Sequence, residues 1–347
     1  MFLKMFLRQI LPIKYLLAII FYFSFAPNLL LGFNEESKIV LSTKKILLDE
    51  FPHSFNPSLI KYEEGYLLTF RFCPQIRKNW FSEIGVILLN QEFKPIHAPQ
   101  LLNTRFEGHT APPQAEDARI ISYKGQLYLI YNDNTEKFVY PKVRRDMYIA
   151  KLQKENGRFE LSPPVKLQCQ GKSQLWEKNW VPFVWQDQLL LSYSIMPHEI
   201  LIPEIVEGSC KTAFNTATRT EWKWGFIRGG TPAQIVDGKY LAFFHSTFVT
   251  RTKYSNYEEM KHCFLGAYTF NSEPPFQITH LSSKPLVHSS FYKSDKHIRV
   301  IFPGSFVVVG NKIHLVYGKD DYEIWMATID KDKLFSSLKP MDNEDAP

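Results

Sequence analysis

Cysteine is scarce: Cys73, Cys169, Cys210 and Cys263 are the four in 347 residues, and they are far apart. No Cys-x-x-Cys pair and no Cys/His zinc spacing occurs, so no structural metal is expected. One or two disulfides in an oxidising compartment, or four free thiols, both fit this count. The ten histidines are dispersed, and His198 and His245 read as packed or hydrogen-bonded side chains. A P-loop and a Gly-x-Ser-x-Gly elbow are also missing, so no nucleotide or other cofactor and no serine-hydrolase site is expected. No Asn-x-Ser/Thr acceptor occurs, because Asn56 is followed by Pro57. Although the net charge is +6, the Lys and Arg form no basic helix, which argues against nucleic acid as a partner. Beyond residue 34 there is no long helical periodicity.

Aromatic residues, by contrast, are plentiful. They make up 15% of the chain, against 22% charged residues, a globular composition with ample material for a core. The N-terminus stands apart. Lys4, Arg8 and Lys14 precede an uncharged stretch, YLLAIIFYFSFAPNLLLGF, over residues 15 to 33. A basic flank before such a stretch reads as a secretion signal or an uncleaved anchor, and about 20 apolar residues suffice to span a bilayer. Ser24 and Ala26 have cleavage-site spacing, but Pro27 follows them. Both readings leave the rest of the chain outside the cytosol, membrane-anchored or secreted. The expected division is a signal or anchor at 1–34 and a folded domain at 35–347.

A repeat runs through that domain. Five segments share a polar or Gly/Pro-containing start, a short apolar strand, a turn, and a second strand rich in Leu and aromatics. They are NPSLIKYEEGYLLTFRF, EDARIISYKGQLYLIYND, KNWVPFVWQDQLLLSYSI, GGTPAQIVDGKYLAFFHS and FPGSFVVVGNKIHLVYGKD, spaced by 60, 62, 51 and 73 residues. Lys124-Gly125, Asp237-Gly238 and Gly310-Asn311 are hairpin-turn dipeptides between apolar runs. One such small sheet cannot bury both faces, whereas five arranged radially can. The pattern predicts an all-β fold, a five-bladed β-propeller, with a pair of sandwiches as the alternative.

In a propeller the five leading segments meet at one end of the axis. They bring Asn56 and Ser58; Glu116, Asp117 and Arg119; Glu177, Lys178 and Asn179; Arg228 and Thr231; and Ser305. The second strands end in Arg71, Asp133, His245, Asp320 and Asp321. Such a ring suits a hydroxylated ligand, with Trp176, Trp180, Phe244 and Tyr317 as candidates to stack on sugar faces. The alternative is that these groups cap strands and join one sheet to the next. Residues 249 to 262, VTRTKYSNYEEMKH, read as a polar surface loop, a rim over the pocket.

The segments FNPSLI, EDARI, EKNWVPF, GGTPAQIVDGKYLAFFHS, FLGAYTFNSEPPFQITHLSSKPL and VIFPGSFVV, with IHLVYGKDD, occur in an order that resembles glycoside hydrolase family 130. The resemblance spans roughly residues 55 to 330 and implies a five-bladed propeller acting on β-mannosides as a phosphorylase or hydrolase. It implies that Asp117 is the catalytic acid, protonating the glycosidic oxygen directly or through a sugar hydroxyl. It implies that Asn56, Ser58 and Arg71 hold the sugar before the scissile bond, and that Asp321, with Asp320 as its competitor, contacts sugar hydroxyls. Lys178 and Asn179 match a basic-plus-Asn pair near the phosphate or aglycone, and His245 matches the histidine closing the fourth hairpin.

Two departures bear on the reaction. Phosphorolysis needs fixed cations to hold a dianion. Where the family's phosphorylases carry an Arg after the third repeat's second strand this chain has Ser194. Where they carry a Lys before the fourth repeat it has Phe226, with Arg228 nearby. Each lost charge-assisted hydrogen bond costs about 1.5–3 kcal/mol, so hydrolysis or glycosyl transfer is expected over phosphorolysis. Hydrolysis needs a second carboxylate, for which Asp321, Glu177 and Glu323 are the candidates. A dry, aromatic-lined channel raises the pKa of Asp117, whereas Arg119, on the same face of the strand by period-two alternation, lowers it. The expected partner is an oligosaccharide or glycoconjugate. The alternative functions are a membrane-tethered glycan-binding propeller without turnover and a protein-interaction scaffold.

Overall fold

The computed structural model describes residues 38–74, 81–105, 114–134, 144–172, 174–217, 219–220, 222–251, 256–294 and 298–341. The expected signal or anchor lies outside these residues. Among the described residues no helix is long and apolar enough to cross a membrane.

The described chain is all-β, apart from short helices at Ser289–Tyr292 and Lys331–Ser337. Its strands form five antiparallel units. Unit one runs Ser54–Tyr62, Gly65–Phe72, Glu83–Leu89 and Gln100–Leu101. Unit two runs Glu116–Tyr123, Gln126–Asp133, Asp146–Glu155 and Val165–Cys169. Unit three runs Val181–Trp185, Gln188–Ser194, His198–Pro203 and Ser209–Thr216. In unit four two short strands, Phe226–Gly229 and Gln234–Val236, pair with Lys239–Thr250, followed by Met260–Phe270 and Ile278–Ser282. Unit five runs Ile301–Val309, Lys312–Lys319 and Glu323–Asp330, and its fourth strand is Val40–Ile46 from the start of the domain. Units two and three share one continuous sheet through a parallel pair, Val165–Cys169 beside Ser209–Thr216.

The turn dipeptides act as expected. Tyr123 pairs with Gln126 and Val236 with Lys239 across two-residue turns whose residues, Lys124-Gly125 and Asp237-Gly238, all have positive φ. That backbone twist matches the twist of the flanking strands. The 249–262 segment begins and ends in strand: Val249 pairs with Lys261 and Thr250 with Met260. Between them the described residues, Arg251 and 256–259, are outside any strand, as expected of a loop, and 252–255 lie outside the described residues.

Period-two alternation explains the core. In unit two, Ile120 and Leu129 pack with Leu67 and Val86 of unit one, while Ile121 and Ile130 pack with Leu189 and Leu191 of unit three. In unit three, Phe183 and Leu190 turn the other way, against Ala242 and Phe244 of unit four. Units five and one share Val316, Met326, Leu68 and Ile87. Each sheet therefore buries one face against each neighbour, and each buried Leu, Ile or Phe contributes about 1.5–3 kcal/mol.

Polar contacts lock the first strands together. Ser58 Oγ accepts from Ile120 N at 3.1 Å, Ser305 Oγ accepts from Leu59 N, Ala233 N donates to Pro182 O at 3.0 Å, and Gln234 Nε2 donates to Phe306 O at 2.7 Å. A 780 Å³ cavity is lined by Ile60, Ile121, Val184, Ile235 and Val308, one residue from each first strand. The five strands thus surround a common axis, and the residues at which they begin are gathered at its other end.

Candidate functional site

The beginnings of the first strands are irregular in a shared way. Asn56, Asp117 and Asn179 adopt left-handed backbone, with φ of 46°, 56° and 64°. Pairing with the second strand shifts register between Phe55 and Ser58, Glu116 and Arg119, and Pro303 and Ser305. Asn and Asp tolerate this conformation better than other non-glycine residues. The equivalent places in units four and five carry Gly230 and Gly304, where crowding decides the residue. A Cβ on Gly304 would lie 1.5 Å from Pro57 O. Bulges re-aim side chains, and here they break the alternation that would have put Asp117 and Arg119 on one face.

Asp117 consequently faces unit one. Its Oδ1 accepts from Asn56 Nδ2 at 2.8 Å and lies 3.5 Å from an Arg71 guanidinium nitrogen. Arg71 also binds Glu116 Oε1 at 2.6 Å, and that same oxygen takes Arg145 at 2.7 Å. Arg145 is fixed in turn by Asn132 Oδ1 at 2.9 Å and Gln114 O at 3.1 Å. Burial alone would raise the Asp117 carboxyl. The Arg71 charge, the Asn56 amide, Arg119 and Lys178 outweigh it and hold the group below the usual carboxylate range. The raised pKa expected for a dry channel is therefore not found, because cations surround this carboxylate.

Asp321 behaves oppositely. Burial pushes its carboxyl up to about 6; Arg71 offsets part of that, and Asp117, Glu116 and Asp320 add to it. Asp117 and Asp321 thus share one electrostatic cluster around Arg71, one held charged and one inclined to keep a proton. Three buried polar atoms in this neighbourhood have no hydrogen-bond partner: Asn56 Oδ1, Arg71 Nε and His245 Nδ1. Burying such atoms unpaired costs about 1–3 kcal/mol each.

Beside this cluster lies a 460 Å³ cavity lined by Trp176, Glu177, Lys178, Asn179, Ser194, Phe226 and Arg228, among others. Lys178 Nζ sits 5.2 Å from the Trp176 ring and Arg228 5.9 Å from the Phe226 ring. Both rings are more than half exposed, at 53% and 68%. Burial lowers the Lys178 pKa, and the fields of Asp117 and Glu116 partly restore it. His245 is buried against Phe302, and burial together with Arg119 and Arg228 lowers it to about 3, so it is neutral.

The structure assigns several expected ligand groups to other work. The Ser58 hydroxyl joins units one and two. Arg119 is almost fully buried, donates to Gly230 O at 2.5 Å and Asp117 O at 2.9 Å, and lies over the Phe302 ring. It ties unit two to units four and five and holds the backbone of Asp117, not its carboxylate. Asp320 Oδ1 accepts from Val300 N at 3.0 Å, which leaves Asp321 as the member of that pair in the Arg71 cluster. Glu177 accepts from Gln174 N at 2.9 Å, folding its own loop. Glu323 is bound to Lys45 at 2.6 Å and Trp325 at 2.7 Å, on the third strand of its sheet. Asp133 accepts from Asn134 N at 2.6 Å, and its burial raises its pKa to about 7. Of the stacking candidates only Trp176 is exposed; Trp180, Phe244 and Tyr317 belong to the core. Arg145 was not anticipated, although the double arginine before the third strand of unit two was the visible signal. Among the described residues no group of three or more His, Cys, Asp or Glu could hold a metal ion.

Sequence comparison places the chain in a family of carbohydrate-active proteins. The profile of glycoside hydrolase family 130, described as β-1,4-mannooligosaccharide phosphorylase, matches residues 44–340. The chain belongs to this family. No curated protein matches it. Solved structures show the same fold at low identity. A putative glycoside hydrolase from Parabacteroides distasonis is 14% identical with a TM-score of 0.61, over 86% of this chain and 95% of that one. The β-1,2-mannobiose phosphorylase of Listeria innocua, in complex with β-1,2-mannobiose, is 13% identical with a TM-score of 0.57, over 87% and 94%. A mannose phosphorylase from Leishmania mexicana, in complex with a phosphate ion, is 11% identical with a TM-score of 0.54, over 94% and 96%.

Proposed function

We propose that this protein is a five-bladed propeller enzyme that cleaves or transfers glycosyl units of β-mannoside-type glycans, with Asp117 as the general acid of the substrate complex. The observation that carries this is the cluster of buried Asp117 and Arg71 with partly buried Asp321, with Asn56 Oδ1 and Arg71 Nε unpartnered beside it. With Arg71 and the Asn56 amide beside it, Asp117 is held as a carboxylate. A sugar that displaces water from it and takes over the Asn56 amide raises its pKa, so the proton is acquired on binding. Asp321, which keeps a proton to about pH 6, donates to or accepts from the sugar hydroxyls.

Hydrolysis or transfer is favoured over phosphorolysis. Of the cations the reaction with phosphate would use, this cavity has Lys178 and Arg228, while Phe226 and Ser194 replace the others. The Ser194 hydroxyl is spent on Pro197 O at 2.6 Å. An alternative is a glycan-binding protein without turnover, favoured by the anionic state of Asp117 in the free protein. On either reading the hydrophobic N-terminal stretch carries the domain to the membrane or beyond it.

The test incubates the protein with β-mannosides, with and without inorganic phosphate, and with sugar-nucleotide and sugar-phosphate donors. Mannose released without phosphate, or transferred to an acceptor, supports the reading. Mannose 1-phosphate formed only in the presence of phosphate overturns the preference, and saturable binding without any product points to the non-catalytic alternative.

A further inference from the structure

The parallel strand pair that joins units two and three places Cys169 directly opposite Cys210. Neither is in a disulfide, and the Cys210 thiol donates to Gly208 O at 3.8 Å. Neighbouring strands lie about 4.7–4.9 Å apart, within the roughly 4.4–6.8 Å Cα separation that a disulfide spans, and opposed residues project from the same face of a sheet. Cys210 is buried and Cys169 half-buried, so a reagent reaches one thiol before the other.

We propose that Cys169 and Cys210 are a thiol pair that closes to a disulfide, fastening units two and three at their outer strands and fixing the base of the segment that forms one wall of the Lys178 cavity. That segment starts just after Cys169. Lys172 pairs with Glu199 at 2.6 Å, Arg145 N donates to Leu175 O at 2.9 Å, and Glu177 N donates to Arg145 O at 3.0 Å. It then delivers Leu175, Trp176, Glu177 and Lys178 to the cavity. The bond would tether this wall at its root, independently of which reaction the site performs.

The chemistry is thiol–disulfide exchange with a small-molecule disulfide as oxidant. Hydrogen bonding to Cys210 lowers the Cys169 pKa despite burial, which marks Cys169 as the attacking sulfur. Its thiolate breaks the reagent's S–S bond, expelling one thiolate and leaving a mixed disulfide. Cys210 then loses its proton to solvent and displaces the second reagent thiol. Two protein thiols are oxidised and one reagent disulfide is reduced to two thiols.

The test equilibrates the reduced full-length protein with oxidised glutathione, traps remaining thiols with N-ethylmaleimide in denaturant, and maps the peptides by mass. The expected product is a Cys169–Cys210 cross-linked peptide with Cys73 and Cys263 alkylated. Cys210→Ser should stop at a glutathione adduct on Cys169, and Cys169→Ser should take up no glutathione at Cys210. Tryptic cleavage after Lys172 and Lys178 should slow several-fold in the oxidised wild type and not in either variant. Wild-type protein that ends as a stable Cys169 adduct with Cys210 alkylatable, that pairs Cys210 with a different cysteine, or that keeps all four thiols free would overturn the proposal.

Discussion

The two ends of the axis are made from the same five strands and could hardly differ more. At one end the strands begin in left-handed Asn and Asp or in crowded glycines, and buried Arg71, Glu116, Asp117 and Arg145 form a charged cluster with partly buried Asp321 beside it. At the other end the same strands finish in Ile60, Ile121, Val184, Ile235 and Val308 around a 780 Å³ cavity. This end, whose lining also includes Lys61, Glu64, Gln91 and His314, is held by packing and by Gln234 and Tyr240 bonding to neighbouring carbonyls. The charged end carries desolvated groups that survive only because each has partners. Residues kept in such an arrangement, with polar atoms still unpaired, mark the end where chemistry is expected.

Several substitutions would break or sharpen that contrast. The largest effect should come from Asp117→Asn, which removes the candidate proton donor: turnover of a β-mannoside should fall about 10²–10⁴-fold while sugar binding persists in calorimetry. Unchanged turnover would remove Asp117 from the chemistry. Next is Arg71→Ala, which strands Glu116 and Asp117 without their shared cation. Urea unfolding should show a loss of about 3–5 kcal/mol, and a change within 0.5 kcal/mol, roughly the surface-substitution range, would mean that the cluster is solvated.

A smaller effect separates the two aspartates by the sign of their pH dependence. The folded pKa of Asp321 is raised from 3.8 to about 6, so the native state binds the extra proton and stability from this group falls as pH rises between those values. Asp321→Asn should flatten that slope and stabilise the protein at pH 7.5 by about 3 kcal/mol at most, at about 1.4 kcal/mol per pKa unit. Asp117 has the opposite sign: its pKa is depressed, so the stability it contributes is present at neutral pH and is lost on acidification through its folded pKa. Identical pH–stability curves for wild type and Asp321→Asn would contradict the assignment. The smallest effect belongs to the far end, where Val309 is half exposed. Val309→Ser should change stability by no more than about 0.5 kcal/mol and leave turnover untouched. A large loss of activity there would mean that the apolar end takes part in function.

Much of the architecture was legible because it rests on local signals. Hairpin turns need positive φ, and Lys124-Gly125 and Asp237-Gly238 advertise it. Buried strands on both faces need near-continuous apolar runs, and residues such as Ile120 with Ile121 or Leu189 to Leu191 supply them. The strand ends at 249–250 and 260–262 were not legible, because these residues lack the apolar pattern of the core.

The candidate site was legible only in part. Polar residues at strand starts announce themselves whether they bind a ligand or another strand. Ser58 and Arg119 make contacts between sheets, Asp320 accepts from a backbone N–H, Glu177 braces its own loop while lining the cavity, and Glu323 pairs with Lys45. Nothing in the sequence near Arg145 says that it will meet Glu116.

By itself, then, the order of residues determined the five-fold strand pattern, the turn positions, the segregation of charged starts from apolar finishes, and the resemblance to glycoside hydrolase family 130. Only the tertiary structure decided that Asp117 faces Arg71 and Asn56 while Arg119 reaches across to Gly230, and that Asp321 and not Asp320 joins them. The reason is geometric: a bulge reverses which way a side chain points, and a pKa depends on charges brought near by strands hundreds of residues away.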